Sequence, residues 1–456
     1  MSGRVLAAAC LAQLMITLDV SVVNIALPAV RADLGLGTVG QQWVVTAYAL
    51  PFAGFLLIGG RFADLVGVRT TFGGGMALFT AASVVAGAAP DPGVLLAGRA
   101  LQGLAAAFVA PAALALVTTT FEEGEARTRA LAWWTAMSIA GGTAGNLCGG
   151  VLTEAFGWRS VLLVNVPLGA IASTLARRAP VPAGTARSRA RRGRLDVGAA
   201  VLVTTALMTA AFGLGAMGER RWTAGGAALV TAAILFAAFV RRDRRSPLPM
   251  VPAGVLKGRV VRWGNVGILL AAAALVPMWF FLSLQLQVVL GYPPMIAGLA
   301  FLPHTVIQLI VGLRCAPRLL QRYDATALVA VGSLLLAAGF AWQSRLVPES
   351  TYVAAVLLPA VLIAVGAGVM NLPLTAMTVA GVPDSMAGIA SGIMNCAKQI
   401  GGGIGLAVLV AATAGIAEPA TAYGAAFVIM AGLVAAIGVG AVLVARSPQP
   451  GNGSSV

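Results

Sequence analysis

Long apolar runs follow one another along this chain, each of about 18 to 26 residues, the length a helix needs to cross roughly 30 Å of hydrocarbon at about 1.5 Å per residue. Fourteen are counted, starting near Val5, Trp43, Thr71, Gly93, Arg129, Ser160, Val197, Thr223, Trp263, Ile296, Ala325, Thr351, Met386 and Tyr423. Backbone groups in lipid have no water to bond, so each run is expected to be a helix that satisfies them internally. The chain has 456 residues, 59% hydrophobic and 10% charged, outside the balance of soluble domains. An all-α membrane protein with 14 transmembrane helices is expected.

A net charge of +15 would suggest nucleic acid in a soluble protein, but here the basic residues follow the loops. If the first loop is external and successive loops alternate, 23 Lys and Arg fall on one side and 5 on the other, with Arg99 and Lys398 left inside spans. The larger set includes Arg4, Arg61, Arg69, seven Arg from Arg177 to Arg194, Lys257 and Arg446. The positive-inside rule then places both termini in the cytoplasm and removes nucleic acid as a partner.

The runs divide the chain into a six-helix bundle over 1–176, basic linkers with two further helices over 177–262, a second six-helix bundle over 263–446, and a short cytoplasmic tail over 447–456. The first linker, with Arg187, Arg189, Arg191, Arg192 and Arg194, reads as a segment lying near anionic lipid headgroups. The stretch from Gly60 to Gly67 has a worn echo over 317–324 at an offset of 257, and Gly401 to Gly405 stand at nearly that offset from Gly145 and Gly149. Repeats of this kind build transporters with two rocking halves.

Asp19 lies inside the first run, where a charge costs roughly 2.5 to 3.5 kcal/mol on insertion scales and so marks function. Pro28 has no N–H, which frees the carbonyl of Asn24 one turn back for water or a ligand. Arg99, Gln102 and Gly103 share one face of the fourth run. Arg99 stands about 9 Å below the outer end and Asp19 about 16 Å below it, so the two can meet, unless Arg99 snorkels outward. In the fifth run Gly141, Gly145 and Gly149 recur at four-residue intervals, a packing face to which Gly103 is a counterpart in the fourth. Gly60, Asp64, Gly67 and Arg69 lie in the loop after the second run, where Asp64 reads as a latch on the cytoplasmic side or as part of a solvated turn.

Candidate substrate contacts are Asn24, Gln102, Trp134, Met137, Asn146, Gln285, Asn395 and Lys398. Trp133 and Trp134, like the stretch from Val276 to Phe281, either line a pocket for a large apolar ligand or face lipid. Lys398, about 16 Å into the membrane, can pair with a carbonyl or with an anionic substrate group.

Several strings, taken in order, resemble one family. They run from Leu18 to Pro28, from Gly60 to Arg69, from Gly98 to Gly103 and from Gly141 to Gly150, then through Trp158-Arg159 and Asn165-Val166-Pro167. Leu195 to Gly198, Gly291 to Gly298, and Gly388 to Gln399 complete the series. Together they resemble the drug:proton antiporters of the major facilitator superfamily, in the branch with fourteen spanning helices. The resemblance implies the major facilitator fold, two six-helix bundles plus two extra central helices, and a proton-coupled multidrug or antibiotic exporter of a bacterial cell membrane. It makes Asp19 the proton-coupling carboxylate, Arg99 its partner, and the loop from Gly60 to Arg69 a cytoplasmic gate. Asn146 stands where the family has proline, Leu65 and Val68 where it has basic residues, and Lys398 where arginine is usual.

Uptake or facilitated movement of a small metabolite is the alternative within transport. A membrane-embedded enzyme should cluster His, Asp or Glu at the membrane, yet only Asp19 lies deep within it. The single histidine, His304, has neither cysteine nor carboxylate beside it and reads as a satisfied polar residue, with proton transfer as the alternative. A sensor should carry a sizeable soluble output domain, which the tail after Arg446 does not supply. Lys257 and Lys398 are followed by Gly258 and Gln399, so the chain lacks a phosphate-binding loop. Cys10, Cys148, Cys315 and Cys396 are spaced singly, as packing residues are. Leu6 to Cys10 faintly resembles a lipoprotein cleavage box, but the apolar stretch before it is too short, and an uncleaved first helix is expected. The expected substrate is a small organic compound, amphipathic or cationic, moved by a monomer with the proton as coupling ion and no cofactor.

Overall fold

The computed structural model describes residues 2–178, 196–247, 249–252, 254–256, 258–383 and 386–445. The Arg-rich linker over 187–194, Lys257, Arg446 and the tail over 447–456 lie outside the described residues. Among the described residues there is helix and no strand. Fourteen helices of membrane length follow in order. In the first half these are α1 (Ser2–Leu34), α2 (Thr38–Val66), α3 (Val68–Gly87), α4 (Pro92–Thr120), α5 (Glu125–Phe156) and α6 (Arg159–Arg177). Two more, α7 (Val197–Gly218) and α8 (Trp222–Arg245), form a hairpin closed by Arg242 Nε donating to Asp196 Oδ1 at 2.7 Å. The second half comprises α9 (Arg259–Val289), α10 (Pro294–Leu320), α11 (Ala325–Gln343), α12 (Val353–Val379), α13 (Ala387–Thr413) and α14 (Pro419–Ala445).

Thirteen of the fourteen are apolar enough to cross a membrane by length and composition alone, and α5 is the exception. It begins at Glu125, one turn before the expected start at Arg129, because Gly124 turns the chain at φ +124° and the Glu125–Arg129 pair supports the first turn at i, i+4 spacing. Three helices change pitch to π-type turns, at Gln285–Val289 in α9, Val311–Cys315 in α10 and Val353–Leu357 in α12. Pro317 and Pro359 follow the second and third of these turns by two residues. A proline ring cannot accept the regular i−4 spacing, and the extra residue of a π turn absorbs the misfit.

Small residues set the packing. A Cβ built on Gly141 would stand 2.6 Å from Leu14 O, and one on Gly145 would stand 2.9 Å from Leu18 O, so α5 runs against α1 backbone to backbone. In the second half Gly401 and Gly405 meet Leu269 O and Ala273 of α9 in the same manner. By these contacts Gly401 and Gly405 match Gly141 and Gly145, an offset of 260 rather than the pairing with Gly145 and Gly149 read from the sequence, so the internal repeat is a repeat of helix contacts. The halves meet along two seams, α5 with α10 and α2 with α13, and α7 packs against both members of the second. A single residue, Gly67 at φ +106° and ψ 137°, joins α2 to α3. Side chains strain at that φ, so this tight reversal depends on glycine.

Candidate functional site

Asp19 sits midway along α1 with no exposed surface, and a carboxylate so placed needs donors. It has three. Arg99 Nη1 of α4 donates to Oδ2 at 2.6 Å, Asn165 Nδ2 of α6 donates to Oδ1 at 2.7 Å, and Gln102 Nε2 reaches the same oxygen at 3.2 Å. Arg99 also donates from Nε to Val44 O of α2 at 3.0 Å and from Nη1 to Gln102 Oε1 at 2.8 Å, while its Cζ lies 4.7 Å from the centre of the Tyr48 ring. Gln102 completes its bonds on Ser83 Oγ of α3 at 2.8 Å. Five helices thus converge on one ion pair, which is charge-assisted at every contact and closed to solvent.

Close backbone approach makes this convergence possible. A Cβ on Gly103 would lie 2.1 Å from Tyr48 O, so only glycine lets α4 lie against α2 beside Arg99 and Gln102. The α5 glycines face Leu14, Leu18 and Val22 of α1, and therefore hold the helix that carries Asp19.

Five residues beyond Asp19 the carbonyl of Asn24, left without a helical partner by Pro28, accepts from Ser283 Oγ of α9 at 2.8 Å. Gln287 of α9 adds a bond to Ile25 O at 3.0 Å and one to Ser283 Oγ at 2.9 Å. The freed carbonyl therefore ties the two halves together at the end of the bundle where α1 finishes. Nearby, Asp33 accepts from Trp158 Nε1 at 3.0 Å and Arg159 Nη1 at 2.7 Å, and Met295 N of α10 donates to Glu154 Oε2 of α5 at 3.0 Å.

Other expected site residues lie elsewhere. Asn146 is buried on the α5–α10 seam, its backbone carbonyl against Gly298 and its side-chain oxygen without a partner among the described residues. Trp134 packs on the core of the first half, and Met137 is half-buried. Gln285 is fully buried and accepts from Gln343 Nε2 of α11 at 3.0 Å. Gln102 is likewise consumed by the Asp19 cluster. Asn395 and Lys398 are exposed on α13. Asp64 is exposed at the end of α2 and is not brought to Arg69, whose guanidinium donates to Arg177 O of α6 at 3.0 Å; Gly60 faces Pro111 of α4. His304 is buried beside Trp279 at a ring separation of 5.8 Å, with both nitrogens unpartnered among the described residues.

Sequence reasoning did not single out Asn165, Ser83 or Tyr48 as members of the cluster. For Asn165 a signal existed: an amide in an apolar run two residues before Pro167, where α6 breaks at Val164.

Comparison with known proteins agrees with this architecture. Residues 9–406 match the Major Facilitator Superfamily. The chain is 46% identical over 454 residues to the cephamycin export protein CmcT of Amycolatopsis lactamdurans, covering 97% of this chain and 93% of that one. It is 39% identical over 402 residues to the puromycin resistance protein pur8 of Streptomyces alboniger, covering 87% and 79%. Among solved structures, the POT family transporter PepTSo superposes with a TM-score of 0.70 over 98% and 97% of the two chains, at 14% identity, a likeness of fold. A fourteen-helix chain with this family match and relatives of this identity is a multi-pass membrane transporter rather than an enzyme, and it belongs to the major facilitator superfamily.

Proposed function

We propose that this transporter is a proton-coupled exporter of amphipathic organic compounds, antibiotics among them, working by antiport through alternating access in a bacterial cell membrane. The observation that carries the reading is the Asp19 cluster: an enclosed carboxylate, bonded to α4 and α6, on the same helix as the tie to α9. The names of the two relatives, one an export and one a resistance protein, support the direction and the class of cargo. A proton on Asp19 turns an ion pair into a neutral acid and releases the guanidinium of Arg99. The strongest link between α1 and α4 is then gone, and α1 can shift. Asn24 and Ile25 lie about 7.5 and 9 Å further along the same helix at about 1.5 Å per residue, so the shift reaches the bonds that close the halves on that side. Breaking those bonds while the opposite ends of the halves approach would pass access from one side of the membrane to the other.

Proteoliposomes holding the purified protein should accumulate or release a transported antibiotic when a pH gradient is imposed without nucleotide. Transport that appears only with ATP and a partner protein would sink the proposal. The orientation is proposed from the 23 to 5 distribution of basic residues, with both termini and the basic linker inside, near anionic headgroups, and the protein acting as a monomer. Reporter fusions placed at Gly184 and after the last residue should both read as cytoplasmic, and one reading as external breaks that topology.

A further inference from the structure

Among the described residues, charged side chains seven or more residues from both ends of their helices are few: Asp19 in α1, Arg99 in α4 and Lys398 in α13. Asp19 and Arg99 neutralise each other in a closed site. Lys398 is different. It lies eleven residues into α13, about 16 Å along the axis at about 1.5 Å per residue. It is exposed, and it has no hydrogen bond or ion pair among the described residues.

The contacts of α13 say where this exposed ammonium points. One line of residues, Gly392, Cys396 and Gly403, meets α2, with Cys396 Sγ donating to Ala53 O at 3.3 Å. A second line, Gly401 and Gly405, meets α9, and Ala411 meets α7. On the arc between α7 and α9 stands Val408, 41% exposed. The remaining arc, between the α2 and α9 lines, carries Ser391, Asn395, Lys398 and Gln399. That strip lies between the lines that meet α2 of the first half and α9 of the second, and Gly402 on it also meets Val276 of α9. The strip holds hydroxyl, amide and ammonium groups and no carboxylate, and among the described residues every Asp and Glu except Asp19 stands near a helix end or in a loop.

We propose that Lys398 reads the charge of the cargo, and that the transported compounds are amphipathic anions whose carboxylate, or a similar single anionic group, pairs with its ammonium. The inference rests on the export reading above, and it replaces the expectation of a cationic substrate. An ammonium held within the membrane's thickness without a counter-charge is costly to keep. An anionic cargo supplies that counter-charge and enters as a neutral pair, whereas a cation adds a second like charge to the same space. The charge-assisted bond gives orientation, and the apolar body of the cargo is left to the surrounding helices.

Fluorescein and rhodamine 123 share one xanthene frame and differ in sign of charge, which makes them suitable probes. Equilibrium binding of both to the full-length protein in detergent, followed by fluorescence anisotropy, should show tighter binding of fluorescein. Lys398→Gln should lower the fluorescein affinity by about tenfold or more, the scale of one lost charge-assisted bond, and bring the ratio between the dyes close to one. Lys398→Arg should restore the ratio. A wild-type preference that is absent or reversed, or a ratio that Lys398→Gln leaves where it was, overturns the assignment. Because binding is read at equilibrium, a protein that fails to export in proteoliposomes, and so fails the reading above, can still show or lack this preference.

Discussion

Asp19→Asn should abolish gradient-driven export, and addition of substrate to the detergent-solubilised variant should release no protons. The asparagine keeps the shape of the side chain and can still accept from Asn165 and Gln102, so the geometry of α1, α4 and α6 is retained. It cannot exchange a proton, and it leaves the guanidinium of Arg99 buried without its anion. Removing one partner of a buried pair costs roughly 3–5 kcal/mol where nothing else compensates. Here Val44 O, Gln102 Oε1 and the Tyr48 ring still receive Arg99, so a loss near the lower end, about 3 kcal/mol, is expected. Combining Asp19→Asn with Arg99→Gln removes both charges and should recover most of the thermal stability while export stays absent. That double variant separates a coupling role from a structural one. Proton release like that of the wild type from Asp19→Asn would exclude Asp19 as the coupling carboxylate.

Gly103→Ala should be among the most damaging single methyl groups in the first half. The new Cβ would lie 2.1 Å from Tyr48 O and 3.0 Å from Tyr48 Cα, backbone atoms that cannot rotate away. Relief requires α4 to move from α2, which pulls Arg99 from Val44 O and from the Tyr48 ring. Overpacking of this kind costs about 1–3 kcal/mol, with more expected where helix backbones must part. Thermal unfolding in detergent should show a large fall in midpoint, and substrate-driven proton release should be impaired even in the protein that remains folded. Gly142→Ala is the control, because its Cβ would first meet Ser21 Oγ at 3.9 Å. Equal tolerance of the two substitutions would refute the idea that the α2–α4 approach fixes the site.

The fold was legible because its main determinant is written in run length and loop charge, which depend little on tertiary detail. Asp19, Arg99 and Gln102 were legible for a related reason, since polar groups stand out in apolar runs and the i, i+3 spacing puts two of them on one face. Asn165, Ser83 and Tyr48 were not, because a neutral polar or aromatic residue in a span has many ordinary uses and only the convergence of α2, α3, α4 and α6 on Asp19 of α1 gives these three one purpose. Gln285 shows the converse, for an amide that reads as cavity-facing is spent on Gln343 once α9 and α11 are packed. The glycines of α5 illustrate the limit of spacing: Gly141 and Gly142 are neighbours in sequence, yet one presses on the backbone of α1 and the other barely touches it.

The bond between Ser283 and the carbonyl of Asn24 has a thermodynamic corollary. Opening an ordinary seam between helices exposes groups that had partners in both states, but this carbonyl lost its helical partner when Pro28 was placed one turn on. Water can take the place of the hydroxyl without unravelling any of α1. A hydrogen bond exchanged in this way contributes only about 0.5–1.5 kcal/mol net, so each one tilts the ratio of the two states by roughly a factor of 2 to 12. Such a fastening leaves the open and closed forms of this contact within reach of thermal energy, and it can be made and broken without unwinding α1.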